Sequence, residues 1–192
     1  MDHIYEDIRK GERGAWISIA AYLILSAGKL VGGYFFASSA LLADGFNNLT
    51  DIVASAAVLI GLRISQKPPD SDHPYGHFRA ETVASLIASF IMGMVGIQVL
   101  VEAVKSLFMG KEASPDLWSA GVAAVCAVCM LFVYLYNRKL AKEIKSQALM
   151  AAAKDNLSDA LVSIGAAVGI VGAQFGLPWL DVVGAFAVGL LI

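Results

Sequence analysis

Long apolar runs recur along this chain, and they constrain its fold more than any other feature. Five of them fill residues 14–36, 38–62, 80–108, 117–137 and 146–175. Each reaches or exceeds the roughly 20 residues that an α-helix needs to cross a bilayer. The 192 residues are 58% hydrophobic and 16% charged, with a mean hydropathy of +0.69. These values predict an all-α membrane protein embedded in a lipid bilayer, with no nucleic acid as a partner.

A sixth apolar run begins near residue 179, after the helix-breaking sequence Gly176-Leu177-Pro178. It ends at Ile192 after about 14 residues, which is short for a complete crossing. We therefore expect six transmembrane helices, of which the sixth is truncated.

The distribution of Lys and Arg predicts how these spans are oriented. Ten of the 14 basic residues fall in the N-terminal segment, in the loop after the second run or in the loop after the fourth run. Loops rich in Lys and Arg face the cytosol. The N-terminus and the even-numbered loops are therefore predicted to be cytosolic.

The second apolar run contains the polar stretch DGFNNLTD, from Asp44 to Asp51. An ionisable side chain at the centre of a membrane helix costs about 2.5–3.5 kcal/mol on insertion scales, so these residues need a reason. Asn47 and Asp51 are four residues apart and share one helical face, which Asp44 extends by a turn. This face predicts a set of oxygen ligands, with Asp44 as a residue that supports the ligands or relays protons.

The fifth apolar run repeats the pattern, because Asp155 and Asp159 are also four residues apart. If the two faces meet, Asn47, Asp51, Asp155 and Asp159 supply four ligands. Polar residues in membranes also form hydrogen bonds between helices, but two matched pairs favour ion binding. Three carboxylates in a medium of low dielectric constant need a cation or protons to neutralise them. The sequence therefore predicts a site that exchanges metal for protons.

The ligand types narrow the choice of metal. Carboxylate and amide oxygens suit Mn²⁺, Mg²⁺ and Ca²⁺, whereas Zn²⁺ more often recruits imidazole or thiolate.

The loop DSDHPYGH, residues 70–77, offers a second group of ligands. Asp70, His73 and His77 follow the spacing i, i+3 and i+7, which suits a second cation site near the cytosolic face. Pro74 and Gly76 make a regular helix unfavourable there, so a polar loop with incidental histidines is the alternative.

Three further features of the spans are interpreted from position alone. Lys154 precedes Asp155 and points away from it, which favours snorkelling to the membrane surface or an ion pair. Lys29 is expected either to snorkel or to pair with a carboxylate. Gly28, Gly32 and Gly33 predict close helix packing.

Taken together, the motifs NNLTD (47–51), DSDHPYGHFRAE (70–81) and DNLSD (155–159), with Asp181 opening the last run, resemble the membrane domain of the cation diffusion facilitator family. The resemblance implies a homodimer with six membrane helices that exchanges a cytosolic divalent metal ion for protons by alternating access. It implies a transport site at Asn47, Asp51, Asp155 and Asp159. Residues 1–192 would form the transmembrane metal-transport domain, without the cytosolic C-terminal domain usual in the family.

Within that family, zinc transporters place His at one or more of the four site positions, whereas this chain has Asn47 and Asp155 there. The set resembles the manganese-exporting branch and agrees with the ligand types. We therefore expect Mn²⁺ export at a prokaryotic plasma membrane, with no cofactor besides the transported metal. The alternatives are transport of Zn²⁺, Co²⁺ or Fe²⁺ by the same fold, or a channel or non-transporting scaffold. An enzyme is not expected, because the paired carboxylates suit ligation better than a proteolytic dyad.

Overall fold

The computed structural model of the protein describes residues 2–35, 39–109 and 117–175, together with positions 183, 186, 187 and 190. The long elements within these residues are all α-helices: α1 (Asp2–Phe35), α2 (Ser39–Ser65), α3 (Arg79–Met109), α4 (Leu117–Glu143) and α5 (Gln147–Gln174). The prediction of an all-α protein is confirmed for this part of the chain. The predicted sixth span, including Asp181, lies almost wholly outside the described residues.

Helices α1 to α4 each contain a stretch long and apolar enough to cross a membrane. These stretches are Arg9–Gly32, Asp44–Ser65, Arg79–Val101 and Leu117–Glu143. Helix α5 is 28 residues long, but it carries Lys154, Asp155 and Asp159 within its apolar run. A chain with several such helices has the make-up of a multi-pass membrane protein.

The helices pack so that α1, α2 and α5 share one interior region. The most extensive contacts join α4 to α5 and α1 to α2, while α3 lies against α2 and α5. One apolar cluster joins α1, α2, α3 and α5, and it includes Val58, Leu62 and Ala148. A second cluster joins α1, α4 and α5 around Tyr22 and Met130. Polar side chains at the meeting of α1, α2 and α5 are therefore shielded by packed apolar residues.

Small residues permit the closest helix contacts. A methyl group at Gly61 of α2 would lie 2.2 Å from Cβ of Ala84 on α3, so these backbones meet directly. A methyl group at Gly14 of α1 would lie 2.7 Å from Oδ1 of Asn137 on α4. At Gly28 no described residue lies within 4 Å of an added methyl group, so the described helices do not meet there and the close packing stays a prediction. The number of glycines on a span does not show which face of the helix packs against a neighbouring helix.

A tight turn connects α4 to α5 and fixes where α5 begins. Lys145 adopts a left-handed conformation with φ of 54°, and the N–H of Ser146 donates to the carbonyl of Ala141 at 3.0 Å. The Ser146 hydroxyl then accepts from the N–H of Leu149 at 3.1 Å, which caps the first turn of α5. The turn thereby sets the register of the carboxylates that follow on α5.

Candidate metal site

Three buried aspartates meet between α2 and α5. Asp51 of α2 and Asp155 and Asp159 of α5 each offer a carboxylate oxygen, and these oxygens all lie within 4.8 Å of one another. The three residues are 1%, 6% and 7% exposed. Spacing of four residues on each helix brings both α5 carboxylates to one face, as the sequence predicted. The arrangement is dense in negative charge, and it is enclosed by the helices.

The buried carboxylate of Asp51 has no hydrogen-bond partner among the described residues, since neither of its oxygens accepts a hydrogen bond from any of them. A buried carboxylate without partners is costly, because nothing replaces the water that it loses. A cation bound between the three aspartates would supply the missing interactions, and the donor set is one that hard divalent ions prefer.

Tyr22 of α1 was not among the residues predicted from sequence, but it belongs to this site. Its hydroxyl lies 3.2 Å from Oδ2 of Asp155 and is also hydrogen-bonded to Oδ2 of Asp159. The side chain is fully buried. Tyr22 therefore bridges the two α5 carboxylates and orients them, while Asp51 faces them from α2 without a protein donor.

A polar stripe along α1 could have revealed this role. Ser18, Tyr22, Ser26 and Lys29 follow one another at intervals of four, four and three residues, so they lie on one helical face. All four are at most 2% exposed. Their spacing within an apolar span is the same kind of signal that predicted candidate ligands on α2 and α5.

Buried Lys29 and half-buried Asp44 form an ion pair between α1 and α2. Lys29 Nζ lies 2.8 Å from Asp44 Oδ2 and 3.5 Å from Oδ1 of Asn48. Lys29 therefore pairs with a carboxylate, which was one of its two predicted fates. Asp44 lies two helical turns before Asp51 and is not part of the three-aspartate group formed by the described residues. Its carboxylate neutralises a lysine, and this contact links α1 to the helix that carries Asp51.

Asn47 lies on α2, one turn before Asp51, and its side chain is half-buried. The helical spacing predicted from the sequence is present, since α2 runs unbroken from Ser39 to Ser65. The three carboxylates form the group of mutually close acidic side chains, and Asn47 as a fourth ligand remains a prediction.

A second buried polar cluster surrounds Ser18, one helical turn before Tyr22 on α1. Asn137 Nδ2 of α4 donates to Ser18 Oγ at 2.8 Å, and Asn156 Nδ2 of α5 donates to the same oxygen at 3.0 Å. Asn156 directly follows Asp155, so these hydrogen bonds hold the ligand-bearing part of α5 against α1 and α4.

The loop between α2 and α3 brings together the second predicted group of ligands. Asp70, His73 and His77 place one ligand atom each within 4.8 Å of the others. His73 Nδ1 lies 3.1 Å from Asp70 Oδ1, and His77 Nε2 lies 3.6 Å from Asp70 Oδ2. The segment is irregular, as Pro74 and Gly76 predicted, and Gly76 has a φ of 79°. Its use as a cation site remains a prediction.

Asp70 organises this loop through its carboxylate. The backbone N–H groups of His73 and Asp72 donate to Asp70 Oδ1 at 2.7 Å and 3.1 Å. The hydrogen bond from the His73 backbone is the main reason that the pKa of Asp70 lies below its ordinary value. The carboxylate is therefore held in its charged, ligating form.

Residues 15–192 match the family described as the cation efflux transmembrane domain. The manganese efflux system protein MneS of Bacillus subtilis is 66% identical over 98% of this chain. Two more proteins of the same organism are similar to this chain. The uncharacterized transporter YdbO is 58% identical over 97% of the chain, and the manganese efflux system protein MneP is 38% identical over 84% of it.

The chain spans 65%, 64% and 54% of the lengths of MneS, YdbO and MneP, respectively. The bacterial source of these relatives agrees with the prediction of a prokaryotic membrane protein. The match over residues 15–192 includes all five described helices except the first part of α1. It confirms the resemblance seen in the three motifs, and the chain therefore belongs to the cation efflux family as a multi-pass transmembrane domain.

Proposed function

We propose that the protein exports Mn²⁺ from the cytosol in exchange for protons, by alternating access, through a site made of Asn47, Asp51, Asp155 and Asp159. The observation that carries the proposal is the meeting of three buried carboxylates from α2 and α5 with the bare oxygens of Asp51. A divalent cation or protons must neutralise such a group, and an exchanger uses both. The family match and the names of MneS and MneP support metal efflux.

The site favours hard metal ions. Its described ligating atoms are carboxylate oxygens, and neither imidazole nor thiolate joins the three-aspartate group. Oxygen ligands of this kind suit Mn²⁺, with Asn47, water and backbone carbonyls available to complete the coordination shell. Transport of Zn²⁺, Co²⁺ or Fe²⁺ is the alternative within the same fold.

The transport cycle follows from the charges. From the cytosolic side, Mn²⁺ binds Asp51, whose oxygens have no hydrogen-bond donor to give up among the described residues, and protons leave the carboxylates as the metal draws them together. Tyr22 keeps Asp155 and Asp159 oriented toward the incoming ion. The helices then rearrange, and on the outer side protons return to the aspartates and release the metal. Each carboxylate thus binds either metal or proton, which couples the two fluxes.

The membrane arrangement in this proposal comprises six spans with a cytosolic N-terminus, working as a homodimer. The basic residues near the ends of α2 and α4, including Arg63, Lys67 and Arg138, support this orientation.

The test is Mn²⁺ and Zn²⁺ uptake into proteoliposomes, with and without an acidic interior. Saturable Mn²⁺ uptake driven by the proton gradient is expected, and Asp51→Ala should abolish it. Asp72→Asn removes a carboxylate from the exposed loop and serves as the matched control, with uptake unchanged. Zn²⁺ uptake with little Mn²⁺ would overturn the choice of metal. Uptake that neither saturates nor responds to the gradient would identify a channel, and no uptake of either metal would favour a scaffold.

The role of Asn47 in selectivity has its own test. Asn47→His introduces the imidazole that Zn²⁺ prefers, so the ratio of Zn²⁺ to Mn²⁺ uptake should rise. An unchanged ratio would remove Asn47 from the selectivity argument.

A further inference from the structure

A cavity of about 450 Å³ opens between α3, the α4–α5 turn and the first half of α5. Its volume falls in the range of roughly 300–1,000 Å³ found for small-molecule sites. The polar residues that line it are Ser85, Ser89, Lys142, Lys145, Ser146, Gln147 and Lys154. Three lysines therefore share one cavity, and no acidic residue is among the described residues that line it. None of the residues proposed for metal transport is among the residues that line this cavity, so metal transport does not account for it.

The three lysines have no carboxylate partner within the described part of the chain. The ion pairs there involve other cations, such as Lys10 with Glu143 and Lys29 with Asp44. Three like charges lining one space repel one another unless an anion lies between them. The lining serines and Gln147 add neutral hydrogen-bond donors of the kind that phosphate oxygens accept.

Lys154 indicates where this anion comes from. It lies seven residues into α5, about 10 Å along the helix from Gln147, and its side chain is exposed. The long side chain of a lysine at that depth can extend along the cavity toward the interface, where lipid headgroups lie. Lys142, in the last turn of α4, and Lys145, in the turn that follows, lie near the start of α5. The three lysines thus line the cavity from the end of α4 to about 10 Å into α5.

We propose that this cavity binds the phosphate of an anionic phospholipid headgroup. Basic pockets between membrane helices at the cytoplasmic side are suited to such headgroups, and the flanking apolar side chain of Met150 offers a surface for the start of an acyl chain. The bound lipid would lie beside Lys154, whose neighbour in the chain is Asp155. The lipid site stands on the cavity and its lysines, independently of which metal is transported.

The experiment measures lipid binding to the delipidated, purified protein in a neutral detergent by native mass spectrometry. The probes are dioctanoyl phosphatidylglycerol, dioctanoyl phosphatidylcholine and inorganic phosphate. Phosphatidylglycerol should bind about tenfold more tightly than either of the others. The variant with Lys142→Gln, Lys145→Gln and Lys154→Gln should lose about tenfold or more of that affinity, and the corresponding triple Arg variant should retain it.

The matched control removes the same charge elsewhere, by Lys67→Gln, Lys105→Gln and Lys139→Gln, and should change the affinity less than twofold. Equal loss in both triple Gln variants would overturn the site in favour of general charge attraction. Equal binding of the two lipids would overturn it directly, and this comparison needs only the unaltered protein. Inorganic phosphate binding as tightly as phosphatidylglycerol would replace the lipid by a free anion. A change of oligomeric state in the first variant, without a change in lipid binding, would assign the cavity to a protein partner.

Discussion

Replacing Asp51 by Asn tests whether the three carboxylates repel one another in the metal-free protein. Their oxygens lie within 4.8 Å of one another, so each ionised pair repels by at least about 3.5 kcal/mol at an effective dielectric constant of about 20. Asp51→Asn removes two of the three pairs and keeps the side-chain volume. The new amide N–H₂ can donate toward the α5 carboxylates, where Asp51 only repels them.

Proton uptake limits how much of this repulsion the metal-free protein bears. Protonating a carboxyl at pH 7, about three pH units above its ordinary range, costs about 4 kcal/mol. The stabilisation from Asp51→Asn is therefore at most about 4 kcal/mol at pH 7, and it falls by about 1.4 kcal/mol for each pH unit on acidification. Since 1 kcal/mol shifts the melting temperature of a chain this long by about 2–4 °C, the difference should be several degrees at pH 7 and small near pH 5.

The assay is thermal unfolding of the purified protein in detergent, with and without Mn²⁺. Metal-free Asp51→Asn should melt above the unaltered protein. Mn²⁺ at about 100 times its dissociation constant should stabilise the unaltered protein by about 2.7 kcal/mol and the variant far less. Asp72→Asn, in the exposed loop, should resemble the unaltered protein in both measurements. A metal-free variant that melts below the unaltered protein at pH 7 would refute the reasoning, because Asp51 would then be held by favourable contacts.

Three further predictions concern other parts of the molecule. Tyr22→Phe removes the donor that orients the α5 carboxylates, so the metal-free protein should lose about 1.5–3 kcal/mol of stability in thermal unfolding. Because the two carboxylates are then no longer held toward the ion, the Mn²⁺-induced shift in melting temperature should shrink, and an unchanged shift would show that Tyr22 does not act on metal binding. Gly61→Ala should lower the free energy of unfolding by about 1–3 kcal/mol, because the new methyl group meets Ala84 on α3. Gly28→Ala, where no described residue is within 4 Å, should cost little, and equal losses would contradict the close approach of α2 and α3. The backbone N–H of His73 lowers the pKa of the Asp70 carboxyl, so the ionised carboxylate stabilises the folded loop at pH values above its ordinary pKa and stops doing so as pH falls through the folded pKa. Carbon-detected NMR titration of Asp70 should give a midpoint below 3.8, and a midpoint at or above 3.8 would argue against this turn.

The sequence predicted the features that depend on one helix at a time. Spacing within α2 and within α5 was enough to identify Asp51, Asp155 and Asp159, because residues four apart on a helix share a face whatever surrounds it. The irregular loop around Pro74 and Gly76 was likewise predictable from local backbone chemistry. Spacing within one helix cannot show that the faces of α2 and α5 meet, and the structure brings their three carboxylates together.

What the sequence left open depends on how helices face each other. Gly28 was expected to pack closely, yet no described residue lies within 4 Å of a methyl group added there, because a glycine can lie on any face of a span. Tyr22 was overlooked because tyrosine is common in membrane spans as an amphipathic residue. Its place in a polar stripe with Ser18 and Lys29 is the sequence feature that distinguishes Tyr22 from such a residue.

The stripe on α1 gives that helix a part in the proposed exchange although it supplies none of the predicted metal ligands. Through Tyr22 it is bonded to the two carboxylates of α5, and through Lys29 it is paired with Asp44 of α2. The two ligand-bearing helices are thus tied to one common partner at separate levels of the membrane. If α2 moves relative to α5, then either α1 moves with one of them or one of these polar contacts breaks. Because buried polar groups are costly to leave unpaired, α1 favours discrete arrangements of α2 and α5 over continuous ones, as alternating access requires.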